Sequence, residues 1–353
     1  MNTRKCSSTT SRFVIVIIIL IIVASFSILT ATGLGSSTIA PITTAKILFS
    51  KIPTIGTSIL PTWTQLDENI ILNLRLPRVC LGMVVGASLS ICGVTMQVLV
   101  RNTLADPFIL GVSSGAATFA TLEMLFGVFA FLGTFSISIA AFIGSAITII
   151  FVYVLSKVKG RINITQLLLS GVVVAMILDG VTSIIKLSAP NALGLHNAEF
   201  WMAGSLAGAR WEYLKLPLII LIICMFVLMI NYRSLNLLLL GEESAGTLGV
   251  NVNRFHKLLI LIASLMTGVT IAVSGTIGFV GLMVPHFTRL LVGGNHQKLL
   301  PISALLGGIL VVWVDVVARM LIAPEELPVG VLTAVIGGPI FIWMLKRSNG
   351  KKG

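Results

Sequence analysis

Apolar residues along this chain fall into long uninterrupted runs rather than alternating or face-restricted patterns. A helix rises 1.5 Å per residue and needs about 20 apolar residues to cross a hydrocarbon layer about 30 Å thick. The predominantly apolar runs of about that length are 13–31, 79–100, 164–187, 214–230, 258–274, 300–322 and 327–345, with a shorter one at 277–291. Between Phe108 and Ser156 the only charge is Glu123, so this stretch holds two helices joined by a turn near Gly127 to Gly133. The pattern predicts an all-α membrane protein of about ten transmembrane helices. Strands of a barrel would alternate, and these runs do not.

Composition strengthens that reading. Of the 353 residues 56% are apolar and 10% charged, against roughly a quarter charged in soluble domains. One membrane domain, 1–353, is expected. A net charge of +12 in a soluble protein would suggest nucleic acid, but here the basic residues lie between the apolar runs and act as topology signals. Threading ten spans from a cytoplasmic N-terminus puts 16 of the 24 basic residues inside and 8 outside, so both termini are expected in the cytoplasm of a bacterial cell, with tails 1–12 and 346–353. The first span follows Arg4, Lys5 and Arg12 and has no clear small-residue cleavage site after it; it is expected to be a retained helix. Cys6, Cys80, Cys92 and Cys224 show no metal-ligand or redox spacing.

Gly82 and Gly86, Gly111 and Gly115, and Gly204 and Gly208 have the G-x-x-x-G spacing that lets helix backbones approach. A constant offset also maps Gly86, Gly93 and Gly111 onto Gly268, Gly275 and Gly293, which would fit two related halves or coincidence in a glycine-rich chain.

Intramembrane charges face a cavity or a partner. Asp315 stands four residues before Arg319, on the same helix face, and is read as a structural pair. Asp179 has only Lys186 nearby, two turns on, and stays open between a helix-end bond and an ion relay. Pro285 with His286 is expected to interrupt the short eighth span, and Asn102 to Pro107 to form a polar turn before the third; both are candidates for the pathway or gate. His286 shows no paired spacing with His196, His256 or His296 and is not read as a metal ligand. The loop 233–254, RSLNLLLLGEESAGTLGVNVNR, is longer than a connection requires. It is either a surface-lying helix or a docking surface for a cytoplasmic partner. No G-x-x-x-x-G-K-[ST] loop and no hydrolase constellation is present.

Four stretches together resemble the FecCD family, permease subunits of ATP-binding-cassette (ABC) importers for iron siderophores, haem and cobalamin. They are RLPRVCLGMVVGASLSICGVTMQVLVRNTLADPFILGVSSGA (75–116), GEESAGTLGVNVNR (241–254), SGTIGFVGLMVPHFTRLLVGGNHQKLLPISALLGG (274–308) and DVVARMLIAPEELPVGVLTAVIGGPIFIWMLKR (315–347). Thr103 departs from the family, which usually has proline there. The resemblance implies ten helices per subunit, a second identical or homologous permease subunit, a cytoplasmic ATPase dimer that uses the ATP, and an extracytoplasmic substrate-binding protein. It implies no cofactor in this chain. It further implies that Arg75, Arg78 and Arg319, at the R-L-P-R and D-x-x-A-R positions, receive acidic residues of the binding protein, for which the planar guanidinium is suited; headgroup anchoring is the competing role. In the loop, Gly241, Glu242, Glu243, Ser244, Ala245, Gly246, Leu248 and Gly249 are expected to couple to the ATPase, with Ala245 and Gly246 offering a small surface for close packing. An iron–siderophore leads as cargo, with haem or cobalamin as alternatives; an ion-coupled carrier using Asp179 is the mechanistic rival, and a receptor or scaffold that transports nothing is a third possibility.

Overall fold

The computed structural model describes residues 3–35, 39–51, 61–158 and 160–349. The chain is a bundle of helices: α1 (Thr3–Gly33), α2 (Pro41–Ser50), α3 (Gln65–Asn69), α4 (Leu76–Leu99), α5 (Val112–Phe126), α6 (Ser136–Leu155), α7 (Ile164–Leu187), α8 (Ala192–Met202), α9 (Trp211–Ile230), α10 (Tyr232–Leu238), α11 (Glu242–Thr247), α12 (Val252–Ser274), α13 (Val280–Val292), α14 (His296–Met320) and α15 (Val329–Asn349). A π-helical turn, Ile70–Arg75, joins α3 to α4. Its one non-helical pairing among the described residues is a hairpin of β1 (Lys157–Val158) and β2 (Arg161–Ile162).

Seven of the described helices are long and apolar enough to cross a membrane. The other three expected spans correspond to α5, α13 and α15, the last of them apolar over Val329–Trp343. The two boundaries hardest to place from sequence fall where expected: α5 stops at Gly127 (φ +64°) and α12 at Gly275 (φ +64°), glycine being the residue that adopts this left-handed backbone without strain. Residues 3–12, expected as a tail, continue α1 without a break; 1–2 and 350–353 lie outside the described residues.

α4 forms the axis of the bundle, buried almost throughout, with α14, α12, α13 and α9 around it. Glycine sets how closely they approach. A Cβ on Gly86 would collide with the backbone of Gly307 and Gly308, and one on Gly93 with the carbonyl oxygen of Gly281. The Gly281 carbonyl lacks its usual intrahelical donor because residue 285, four positions on, is proline and has no N–H. Gly115 on α5 meets Gly144 and Thr148 on α6 in the same way. By contrast Gly204 and Gly208 do not form a helix-packing pair, since both lie in the turn between α8 and α9. Gly204 (φ +81°) instead packs on the backbone of Thr276, while Gly208 has open space around it. The glycine offset has a conformational counterpart at two of its three pairs: Gly86 and Gly268 are both mid-helix and Gly111 and Gly293 both have positive φ, whereas Gly93 is mid-helix and Gly275 ends a helix.

α1, α7 and α9 lie at the periphery and expose large apolar side chains such as Phe26, Met176 and Phe226, the arrangement suited to lipid rather than water.

Candidate functional sites at the two ends of the bundle

Arg78, in the first turn of α4, reaches across to α14 and to the loop before α15. Its Nε and Nη2 donate to Asp315 Oδ1 at 2.9 and 2.8 Å, and its Nη1 donates to Glu326 Oε2 at 2.8 Å. Asp315 also accepts from Arg319, one turn along α14, at 3.1 Å. This is the local pair expected from the i, i+4 spacing, extended into a network across three elements. Three guanidiniums face two carboxylates here, and the C-terminal end of α1 supplies the remaining acceptors. Arg319 donates to the carbonyls of Leu34 and Ala31, and Arg75 to that of Gly33 at 2.9 Å. The last carbonyls of a helix lack intrahelical donors and carry the negative end of its dipole, so they suit cations.

Arg75 and Arg78 are each only 7% exposed and Arg319 4%. The three arginines converge at one end of the bundle, buried within this single chain and with acceptors inside it. Glu326 carries no local signal of this role, because its partner Arg78 lies far away along the chain.

At the opposite end, α10 and α11 build the loop 233–254. Gly241 (φ +112°) makes the turn between them, and Glu242 and Glu243 open α11, where carboxylates favour the dipole's positive end. Glu242 pairs with Arg101, in the turn after α4, at 3.2 Å. Asn236 on α10 donates to Asn295 at 3.1 Å, and its Oδ1 accepts from the backbone N–H of His296 at 3.0 Å, fastening α10 to the start of α14. Glu243, Ser244, Gly246, Leu248 and Gly249 are exposed. Ala245 is fully buried and its carbonyl accepts from Val250 N–H, closing α11 back toward α12. It thus belongs to the interior, a correction to its expected place on the docking surface.

The turn Asn102 to Pro107 forms as expected. Asn102 Oδ1 accepts from Leu104 N–H at 2.9 Å, and Asp106 caps a 3₁₀ turn, Pro107–Leu110, by accepting from Phe108 N–H at 2.8 Å. Burial pushes the Asp106 carboxyl up to about 6, against the opposing pull of the Phe108 hydrogen bond. The Asp-Pro pair is a turn signal that could have singled Asp106 out. Thr103 is exposed and Pro107 buried against Gly281, so the turn survives without a proline at 103.

Pro285 does not interrupt its span, since α13 runs through it from Val280 to Val292 with His286 half-buried alongside. The break comes earlier, at 275–279, where Phe279 has φ +66°. Protein groups supply partners there, as irregular chain at membrane depth requires: Gly275 N–H donates to Ile271 O at 2.8 Å, the carbonyls of Gly278 and Phe279 accept from Val280 and Met283 N–H at 2.8 and 2.9 Å, and the Thr276 hydroxyl ties the break to Met202 O. Asp179 sits on the exposed face of α7, and Lys186 pairs with Glu199 at 2.9 Å. Among the described residues, no group of three or more His, Cys, Asp or Glu is placed to hold a metal ion.

The FecCD transport family matches residues 14–347. The chain is 42% identical to the cobalamin import system permease protein of Halobacterium salinarum over 277 residues, 78% of this chain and 73% of that one. It is 40% identical to the hemin transport system permease of Yersinia pestis, over 80% of this chain and 84% of that one. Identity to the Fe(3+) dicitrate transport system permease FecD of Escherichia coli is 39%, over 84% and 92%. A metal-chelate type ABC transporter solved in an inward-facing conformation superimposes with a TM-score of 0.81 at 29% identity, covering 94% of this chain and 98% of that one. With its ten-helix architecture matched along nearly the whole length, this chain belongs to the FecCD transport family and is a multi-pass membrane permease subunit of an ABC importer.

Proposed function

We propose that this permease moves an iron–siderophore complex across the bacterial cytoplasmic membrane by alternating access, with both termini and the α10–α11 segment in the cytoplasm. A second permease subunit would complete the pathway, an extracytoplasmic binding protein would deliver cargo, and a cytoplasmic ATPase dimer would hydrolyse the ATP. The cargo is a metal chelate by likeness to relatives named for ferric dicitrate, hemin and cobalamin.

The observation that carries the mechanism is the geometry of α10 and α11. They leave Glu243, Ser244, Gly246 and Leu248 exposed while Arg101 and Asn236 tie them to the ends of α4 and α14. A partner pressing on this segment would move two helices that run the length of the bundle.

Gly246→Trp tests it, because Gly246 has open space around its Cα and the added bulk projects away from the chain. The expected outcome is normal insertion with loss of ATPase capture in a pull-down and of substrate-stimulated hydrolysis in liposomes. Normal capture and stimulation would remove α11 from coupling. Cargo is decided by competing labelled ferric siderophore, hemin and cobalamin for uptake in vesicles that hold the full complex. Uptake of hemin or cobalamin in preference would replace the siderophore.

A further inference from the structure

A groove of about 280 Å³ runs between α6 and α12 at the end of the bundle that carries α10 and α11, lined by Ile149, Ile150, Tyr153, Lys257, Ile260, Leu261 and Ser264. Its chemistry is graded along its length. At depth it is aliphatic, and its one hydroxyl there, Ser264 Oγ, already donates to Ile260 O at 2.6 Å. At the mouth stand Tyr153, whose phenol has no hydrogen-bond partner among the described residues, and Lys257. Lys157, one turn beyond, holds its Nζ 4.6 Å from the centre of the Tyr153 ring. Lys157 and Lys257 are exposed, and neither has a carboxylate partner among the described residues. From Lys257 to Ser264 is seven residues, about 10 Å of helix, so the slot reaches from the loop level into the depth where acyl chains lie.

We propose that this groove is a binding site for an anionic glycerophospholipid, one acyl chain lying between α6 and α12 and the phosphate held by Lys157, Lys257 and the Tyr153 hydroxyl. Charge separates it from a second apolar slot. That one, about 270 Å³ between α6, α9 and α12 at the far end, carries Glu212 on its lining, a carboxylate that would repel a phosphate. Two ammonium groups with no carboxylate partner among the described residues, over an aliphatic slot, complement a lipid that is negative at one end and apolar at the other. Both sides of the groove would be filled, so the lipid would bridge α12, which follows directly on α11, to α6. The site does not depend on which cargo the permease carries.

Native mass spectrometry of the full chain released from detergent, titrated with phosphatidylglycerol or phosphatidylcholine of equal chain length, measures it. Each lysine beside an anionic headgroup contributes about a fivefold gain, so phosphatidylglycerol should be retained roughly 25-fold more tightly than phosphatidylcholine. The Lys157→Ala, Lys257→Ala double variant should lose that preference. Leu261→Trp should fill the groove and weaken retention with both lysines in place; Leu261 is 62% exposed, so the fold tolerates the change. Equal retention of the two lipids, a preference that survives the double alanine variant, or unchanged binding by Leu261→Trp would each overturn the proposal. Competition by soluble glycerol phosphate as effective as that by phosphatidylglycerol would overturn it too, because the site would then be a phosphate site with no lipid character.

Discussion

Replacing Asp315 by leucine removes the carboxylate that two buried arginines share. Asp315 is 1% exposed and accepts from Arg78 at 2.8 Å and from Arg319 at 3.1 Å. Without it Arg78 keeps Glu326, but Arg319 retains only backbone acceptors, the carbonyls of Leu34, Ala31 and residue 315 itself. Breaking a buried ion pair by deleting one partner costs about 3–5 kcal/mol, since the charge left behind stays desolvated. At roughly 2.1 cal/mol/K of unfolding entropy per residue, spread over 353 residues, that is a melting-temperature loss of about 4–7 °C. Glu326→Gln is the control. The Glu326 side chain is 33% exposed, so water reaches it and Arg78 still holds Asp315; the expected cost is at most about 1 kcal/mol. The double variant Asp315→Leu, Arg319→Leu removes the stranded cation together with its partner and should melt above Asp315→Leu alone. Thermal unfolding in detergent, followed by tryptophan fluorescence, reads all three. A loss for Asp315→Leu no larger than for Glu326→Gln, or a double variant less stable than the single, would refute the network as the element holding this end together.

Three further outcomes are expected. Gly93→Ala forces a methyl into the Gly281 carbonyl, a backbone atom that cannot swing aside, so little folded protein should reach the membrane, while Gly208→Ala, in open space, should express normally; equal yields would contradict the close packing of α4 on α13. Asp106→Asn keeps a side-chain acceptor for Phe108 N–H but abolishes a titration. With the native carboxyl raised to about 6, its stabilising contribution is full below the unfolded value of about 4 and lost as pH rises through 6, and the variant should flatten that part of the pH–stability curve. Single cysteines at Gly246 and at Glu325 should react with an impermeant thiol reagent in intact cells only at Glu325; labelling at Gly246 would invert the proposed orientation.

How much of this was legible in sequence depends on range. The ten helices follow from run length alone, and the α5 and α12 boundaries from glycines that local backbone conformation requires. Asp315 with Arg319 was legible because both sit on one helix face. The partners of Arg78 were not, because Asp315 and Glu326 come from the far end of the chain, and only packing of α4 on α14 brings them together. The same reason explains the arginines' burial: a charged residue at a span end reads as an interface residue until another helix end, here that of α1, is found covering it. Ala245 was misread through its size. A small residue suits close packing against a partner and against its own chain equally, and sequence does not say which. Pro285 was misread because proline in a helix marks a lost hydrogen bond rather than a necessary break, and here the freed Gly281 carbonyl lies against Gly93.

The two sites lie at opposite ends of the same two helices. α4 begins with Arg78 and is followed by Arg101; α14 begins beside Asn236 and ends with Asp315 and Arg319. Between those ends the helices touch backbone to backbone at Gly86 and Gly307, with the small Ser90 side chain packed beside the contact. Such contacts resist small sliding displacements, because any shift drives a carbonyl into a neighbouring chain. A load applied at α11 through Arg101 and Asn236 would therefore reach the Arg78–Asp315 end as movement of the α4–α14 pair together, rather than being absorbed between them. Two irregular turns, 203–210 and 275–279, pack against one another beside this pair, and there Gly204, Gly275 and Phe279 carry left-handed conformations. If the permease alternates, its internal bending belongs at those turns, with α4 and α14 moving as one body.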